Sequence, residues 1–256
     1  MSEFLSGEDI RDAVSLERSN IYWSEWPGPQ AIADAVREWG IAVFPGFLSG
    51  ETLDVLNSEF DQIIDLHRDG NGPFSSDNYD NIVNVRLQRE SIPQGAIPVT
   101  AALFAHADLK AVSDAYFHGE PYTLNRESFV SNLEETRTEQ TKPPFADHFD
   151  KLNLFKFFFY LSDTDETNGA MRAAPGSNQV IRAHRLKAVE EIRVKSVDNI
   201  VHGDVPSLPI TGPAGTLFIF DTDVCHGAGK VSAGKSRRTM RGHCTGTETL
   251  QNYLAA

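Results

Sequence analysis

Cysteine is scarce in this 256-residue chain. Cys225 and Cys244 are the only two, too few for a disulfide framework and in keeping with a reducing, cytoplasmic setting. Basic residues are also outnumbered, 23 Lys and Arg against 36 Asp and Glu, for a formal net charge of -13. That deficit argues against a nucleic-acid backbone or an anionic membrane as the main partner. No apolar run approaches the ~20 residues needed to cross a bilayer. The acidic start, Met1 to Asp9, lacks the basic-then-apolar order of a signal peptide. Internal repeats, low-complexity tracts and linkers are missing too, so a single domain over 1–256 is expected, long enough for one well-buried core.

Phenylalanine is plentiful, with 16 copies, many in alternating or continuous runs that suit strands. The N-terminal part, to about residue 120, has a helical pattern. Pro27-Gly28-Pro29 breaks the chain, and the helix formers of Gln30–Trp39 stop at Gly40. Ile41–Phe44 predicts a buried strand. A second helix follows Ser49, with Leu53, Leu56, Phe60, Ile63 and Ile64 at helical spacing. Asp69–Asn81 is a polar loop of the kind that forms lids and binding segments. Ile82–Leu87 is a candidate short strand, and Pro98–His118 is helical in two pieces.

From about 121 to 250 the pattern becomes short β-branched and aromatic runs at Tyr122–Val130, Leu152–Leu161, Arg193–Val197, Thr216–Phe220 and Arg237–Cys244. Turn signals such as Thr167-Asn-Gly169, Pro175-Gly-Ser177 and Gly212-Pro-Ala-Gly215 separate them. Helices first and antiparallel strands after predict a mainly β fold with flanking helices. The expected form is a two-sheet jelly roll (a cupin-like double-stranded β-helix) with the helices on one outer face.

Chemistry concentrates at two places. In His148-Phe149-Asp150, just before an aromatic strand, residues i and i+2 of an extended chain point to the same side. His226 follows the strand Thr216–Phe220, 78 positions later. Two histidines and a carboxylate on one face of an octahedron leave three positions for other ligands, the arrangement of non-haem Fe(II) oxygenases. A His-x-Asp alone is weak, because such tripeptides are common in surface loops. Arg237, eleven residues beyond His226, adds a bidentate cation suited to a dicarboxylate co-substrate, and Thr239 shares its strand face.

The ordered set His148-Phe-Asp150, Tyr160-Leu-Ser-Asp163, Asn168-Gly-Ala170, Pro175-Gly-Ser177, Gly212–Asp221, His226-Gly227 and Arg237 resembles the Fe(II)/2-oxoglutarate dioxygenases, and among them the phytanoyl-CoA dioxygenase-like group. The likeness covers roughly 144–243, with a looser match up to Leu66. Asn178 departs from it, standing where the family often has a histidine that is not a metal ligand. The resemblance implies Fe(II) held by His148, Asp150 and His226, with 2-oxoglutarate and O2 as co-substrates. It also implies that Arg237, assisted by Thr239, grips the distal carboxylate of 2-oxoglutarate. The reaction would oxidise, by default hydroxylate, a small-molecule metabolite or natural product, releasing succinate and CO2. Desaturation, epoxidation and cyclisation use the same parts. Related halogenases carry a small residue at the place of Asp150, so the carboxylate argues against halogenation.

Lys156 has two readings. It pairs with a carboxylate near 2-oxoglutarate, or it is an edge-strand lysine whose ammonium reaches water. Arg241 and His243 share the strand face of Arg237, either lining the pocket or making sheet-end contacts. Asn81, Asn84 and Arg86 are either substrate contacts or a solvated strand face. Cys225 and His67, His106, His118, His184 and His202 are assigned packing or surface roles. Two other functions compete: a non-catalytic ligand- or metal-binding jelly roll, and a zinc hydrolase using the same ligands, which leaves Arg237 without a task.

Overall fold

The computed structural model describes residues 4–68, 75–76, 82–88, 95–124, 127–133 and 146–256. Strand β1 (Leu5–Ser6) leads into helix α1 (Gly7–Arg11), where Ser6 and Asp9 form a reciprocal capping box. Helix α2 (Pro29–Trp39) has proline at its start and ends where Gly40 turns left-handed, at φ 80°. Fully buried β2 (Ile41–Phe44) follows, then α3 (Gly50–Arg68). The two-residue β3 (Ser75–Ser76) pairs with β4 (Ile82–Gln88). The predicted helical stretch divides into α4 (Pro98–Phe104) and α5 (Ala107–Phe117).

Next come β5 (Tyr122–Leu124), β6 (Glu127–Leu133), β7 (Phe155–Tyr160), β8 (Met171–Ala174) and helix α6 (Ser177–Glu190). The chain continues through β9 (Val201–His202), β10 (Leu208–Ile210), β11 (Leu217–Asp221), β12 (Cys225–Ala228), β13 (Arg237–Gly246) and helix α7 (Thr247–Ala255). Among the described residues the strands build an antiparallel sheet ordered β2-β11-β7-β13-β6-β4-β3, with β5 beside β13. A small sheet, β10-β8-β12, faces it. The jelly roll expected from the sequence is therefore present, and β2 and β4 from the N-terminal part join its large sheet.

Strand alternation sorts the aromatic residues into two layers. Phe155, Phe157 and Phe159 point outward with Leu217, Ile219 and Met240, and side chains of α2 to α5 close over them. Lys156, Phe158 and Tyr160 point inward, level with Phe218 and Phe220 of β11 and with Thr239, Arg241 and His243 of β13. Between the sheets Tyr160, Phe218 and Phe220 pack with Met171, Ala173 and Ile210 of the small sheet. This inner face carries the chemistry.

Two predicted features differ. The Arg193–Val197 run is not a strand but holds a 3-10 turn, Val194–Ser196. Its buried residues, Val194 and Val197, are three apart, the spacing of a helical turn. The helices also flank both outer faces rather than one. Helix α6 packs Ile181 and Ala188 against Ala174, Cys225 and Phe149, behind the small sheet. Its inward face includes Ser177, Asn178 and Arg185, and these polar residues break the apolar period that would announce a helix.

Candidate active site

The His148 amide donates to the His226 carbonyl and the His226 amide donates to the His148 carbonyl, both at 2.8 Å. The two residues are thus directly opposed in an antiparallel bridge, and their side chains leave on one side. Asp150, two residues along, shares that side, while Phe149 between them is buried with Ile181 and Cys225. Both imidazoles are anchored from behind: His148 Nδ1 meets the Ala146 carbonyl at 2.8 Å and His226 Nδ1 the Val224 carbonyl at 2.9 Å. A carbonyl only accepts, so in each neutral ring the proton sits on Nδ1 and an unprotonated Nε2 faces inward. Each Nε2 lies 3.7 Å from Asp150 Oδ1.

One potential ligand atom from each of His148, Asp150 and His226 lies within 4.8 Å of the others. Two imidazoles and a carboxylate converging on one point fit a divalent metal, and this combination suits Fe(II) with open positions. Burial pushes the His226 imidazole down to about 3, with His148 adding to the effect. It is therefore neutral at physiological pH, as a ligand must be. For Asp150, burial alone would raise the carboxyl, but Lys156 and the two histidines override it and hold the group well below the ordinary carboxylate range.

Lys156 is buried on β7, a strand enclosed between β11 and β13. The edge-strand reading is thereby corrected: β7 is an interior strand, and the Lys156 side chain is buried on its inward face. The carboxylate it meets is that of Asp150, through Oδ2. Asp150 thus turns one oxygen toward the imidazoles and the other toward the lysine. Burial lowers the Lys156 ammonium and Asp150 opposes that pull.

Arg237 begins β13 and is 5% exposed. Its Nη1 donates to the Gly169 carbonyl, and its guanidinium lies 5.8 Å from the centre of the Tyr160 ring. Its buried Nε has no hydrogen-bond partner. A buried donor left over beside a planar fork suits a carboxylate ligand. Thr239 is buried two residues on, level with Tyr160. Arg241 and His243 do share the inner face, opposite Phe158 and Lys156. Arg86 on β4 is half-buried, its neighbouring positions being tied to β6. Asn81 and most of the loop 69–81 lie outside the described residues, as does the side chain of Asn84.

The remaining histidines are elsewhere. His106 caps α5, His118 ends it in a left-handed conformation, and His202 pairs with Asp198 at the surface. His184 on α6 packs edge-on against Phe149, and His67 lies near the end of α3. Cys225 faces away from the triad, and burial raises its thiol far above the usual range. Asn178, the departure from the family pattern, is fully buried and donates to the Arg37 carbonyl at the end of α2.

A charged network behind the triad has no counterpart in the sequence-based prediction. Asp221 and Asp223 are buried at the β11–β12 turn and meet Arg182 and Arg185 of α6. Tyr116 and Asn153 each donate to Asp221 at 2.6 Å. Burial and the Asp221 charge lift the Asp223 carboxyl to about 6 against the pull of Arg185. Its signal in the sequence is an Asp-x-Asp closing an apolar strand, since two buried carboxylates demand cations. Arg182 and Arg185, three apart on one helix face, supply them.

The fold agrees with known structures at low identity. The non-heme alpha ketoglutarate dependent epimerase SnoN from nogalamycin biosynthesis aligns at 16% identity and a TM-score of 0.60, over 84% of this chain and 81% of that one. The carbocyclase SnoK of the same biosynthesis aligns at 17% and 0.58, over 84% and 83%. HygX from Streptomyces hygroscopicus, solved with nickel and 2-oxoglutarate, aligns at 12% and 0.59, over 85% and 87%. No curated protein matches the sequence. The family model for phytanoyl-CoA dioxygenase (PhyH) matches residues 36–239, most of the chain and all of the converging donors. The chain belongs to the phytanoyl-CoA dioxygenase family of Fe(II)/2-oxoglutarate-dependent oxygenases.

Proposed function

We propose that this protein oxidises a small-molecule metabolite or natural product, by default through hydroxylation, and releases succinate and CO2. The observation that carries the reading is the convergence of His148 Nε2, His226 Nε2 and Asp150 Oδ1 on the inner face that also holds Arg237. In this reading those three residues hold the iron, and the whole chain works as one domain in the cytoplasm. No helix among the described residues is long and apolar enough to cross a membrane.

Bound there, Fe(II) would couple the oxidative decarboxylation of 2-oxoglutarate by O2 to oxidation of the substrate. The chain supplies orientation and shielding. Asp150 contributes the negative charge, and Lys156 holds its second oxygen so that Oδ1 stays aimed at the site. Arg237, with Thr239, takes the distal carboxylate of 2-oxoglutarate, where a fork anchored on Gly169 fixes the co-substrate's direction. Phe158, Phe218 and Phe220 wall the inner face and keep water from the reacting groups.

SnoN and SnoK are named for epimerisation and carbocyclisation, and HygX has been solved with hygromycin B bound. These relatives support a natural-product substrate, with desaturation, epoxidation or cyclisation as the alternative outcome. The test is a succinate-release screen over candidate metabolites with Fe(II), 2-oxoglutarate and O2. One substrate raising succinate above the uncoupled background supports the proposal. No succinate with any substrate, together with no visible absorption band on anaerobic mixing of Fe(II) and 2-oxoglutarate, favours a binding module instead.

A further inference from the structure

Behind the triad, Arg185 of α6 reaches both of its separated halves. Its side chain is 9% exposed, and Nε donates to Asp223 Oδ1 at 2.7 Å. The other two nitrogens donate to main-chain carbonyls, Nη1 to Lys151 and Nη2 to Asp150. The guanidinium carbon also sits 5.3 Å from the centre of the Phe149 ring, the middle residue of the His148-Phe149-Asp150 segment. Asp223 stands three residues before His226, and its carboxylate is 2% exposed.

The main-chain bonds already described fix His148 to His226 but reach Asp150 only through its amide, which donates to the Thr222 carbonyl at 3.2 Å. Among the described residues, the Asp150 carbonyl accepts from Arg185 Nη2 and from no other donor. Turning the Asp150 peptide would swing its carboxylate away from both imidazoles. One planar cation, gripping that carbonyl and the turn that leads to His226, opposes the swing. A guanidinium spreads five donors over a fixed plane and so serves three separated acceptors at once, where a lysine ammonium concentrates its three donors on one atom.

We infer that Arg185 is a positioning residue for the metal site, clamping the Asp150 main chain to the Asp223 turn and so setting the carboxylate against the two imidazoles. The inference rests on the metal-binding role proposed above for His148, Asp150 and His226. Arg185 touches neither metal nor substrate, and its effect passes through the geometry of the ligands. Outer groups that orient metal ligands are commonly worth roughly 10–100-fold in metal affinity.

The test is anaerobic titration of the full-length, metal-free protein with Co(II), followed by visible absorbance, alongside melting temperature without metal. The proteins compared are wild type, Asp150→Ala, Arg185→Lys, Asp223→Asn, the Arg185→Lys/Asp223→Asn double variant and Arg182→Gln. Arg185→Lys and Asp223→Asn are each expected to weaken Co(II) binding by roughly 10-fold or more. The double variant should be no worse than the weaker single one, because both changes open the same clamp. Arg182→Gln cuts the neighbouring ion pairs without touching the Asp150 main chain. It should lower the melting temperature while leaving Co(II) affinity within about 2-fold of wild type.

A folded Arg185→Lys protein with wild-type Co(II) affinity would overturn the inference. So would an Arg182→Gln protein that loses as much affinity as Arg185→Lys, since general loosening would then suffice. If Arg185→Lys does not fold, Asp223→Asn decides, and unchanged affinity there overturns the clamp. Equal Co(II) binding by wild type and Asp150→Ala would remove the metal site itself, a failure distinct from loss of the clamp, and the positioning role would go with it.

Discussion

His148 and His226, far apart in the chain, are directly opposed across an antiparallel bridge in which each amide serves the other's carbonyl at 2.8 Å. The relationship is made by the main chain, so it does not depend on the imidazoles it displays. Removing one ring therefore takes away a donor without displacing its neighbour. Variants of either histidine are expected to stay folded.

Asp150→Ala should abolish Fe(II)- and 2-oxoglutarate-dependent succinate formation, by at least about 100-fold in kcat/KM, or ~2.7 kcal/mol of lost stabilisation. Circular dichroism should remain native-like, with a lowered melting temperature because the buried Lys156 ammonium loses its carboxylate. An Asp150→Ala protein with full hydroxylating activity would contradict the assignment of the triad.

Arg237 offers a separable readout. Arg237→Lys keeps the charge but loses the planar fork, along with the bond to Gly169 in its present form. A charge-assisted hydrogen bond contributes about 1.5–3 kcal/mol, so KM for 2-oxoglutarate should rise roughly 10- to 100-fold. Steady-state kinetics with varied 2-oxoglutarate would measure this, and an unchanged KM would place the co-substrate elsewhere.

Lys156 can be distinguished from Arg237 by the same measurement. Its partner in the structure is Asp150, so Lys156→Met should leave the 2-oxoglutarate KM within a few-fold of wild type. It should instead destabilise the metal-free protein, since breaking a buried ion pair costs about 3–5 kcal/mol. Added metal supplies positive charge to the stranded carboxylate, so the metal-induced rise in melting temperature should exceed that of wild type. A KM rise as large as that of Arg237→Lys would mean that Lys156 holds the co-substrate.

The metal-free protein should lose stability in mild acid. Burial depresses His226 and His243 to about 3 each, below the unfolded value of about 6.5. Between those values the unfolded chain binds more protons than the folded one, so their contribution is present above about pH 6.5 and is lost as pH falls. The loss is up to about 1.4 kcal/mol per pH unit for each histidine. Asp223, lifted to about 6, works in the opposite direction below that pH, with one proton against two. Melting curves of metal-free protein should therefore show a lower Tm near pH ~5.5 than near pH ~7.5. A flat profile would contradict neutral imidazoles at His226 and His243 in the folded protein.

Gly215 tests the scaffold away from the chemistry. It sits at φ 88°, and a Cβ there would lie 1.8 Å from the Leu48 carbonyl oxygen. Its amide donates to the Tyr160 carbonyl at 2.7 Å, and its carbonyl accepts from the Leu48 amide at 2.9 Å. Gly215→Ala should cost at least ~1–3 kcal/mol from the strained backbone alone, measured as a lower denaturant midpoint. A midpoint equal to that of wild type would mean that the turn yields without cost.

Helix α2, strand β2 and helix α3 were all legible in the sequence because their signals are local. Gly40 stops the first helix, four apolar residues make the strand, and Leu56, Phe60, Ile63 and Ile64 fall on one buried face of α3. Helix α6 was not legible, because Ser177, Asn178 and Arg185 stand where an amphipathic pattern would place apolar residues. Each is buried on a specific long-range partner, as with Ser177 accepting from the Cys225 amide. Arg185 was invisible for the same reason: nothing in its neighbourhood announces Asp223 or the Asp150 carbonyl.

The linear order of residues alone set the donor types and their local geometry. A His-x-Asp in extended chain must present both side chains on one side, because side-chain direction alternates with every residue. It also determined that Arg237, Thr239, Arg241 and His243 share a face, for the same covalent reason. Folding was needed to establish that Lys156 answers Asp150, that β7 is an interior strand, and that Arg185 binds the Asp150 main chain to the turn before His226. Those outcomes depend on which buried charges can reach each other once the sheets have closed. Burial makes an unpaired charge costly, but the choice of partner is made by distance in the folded chain.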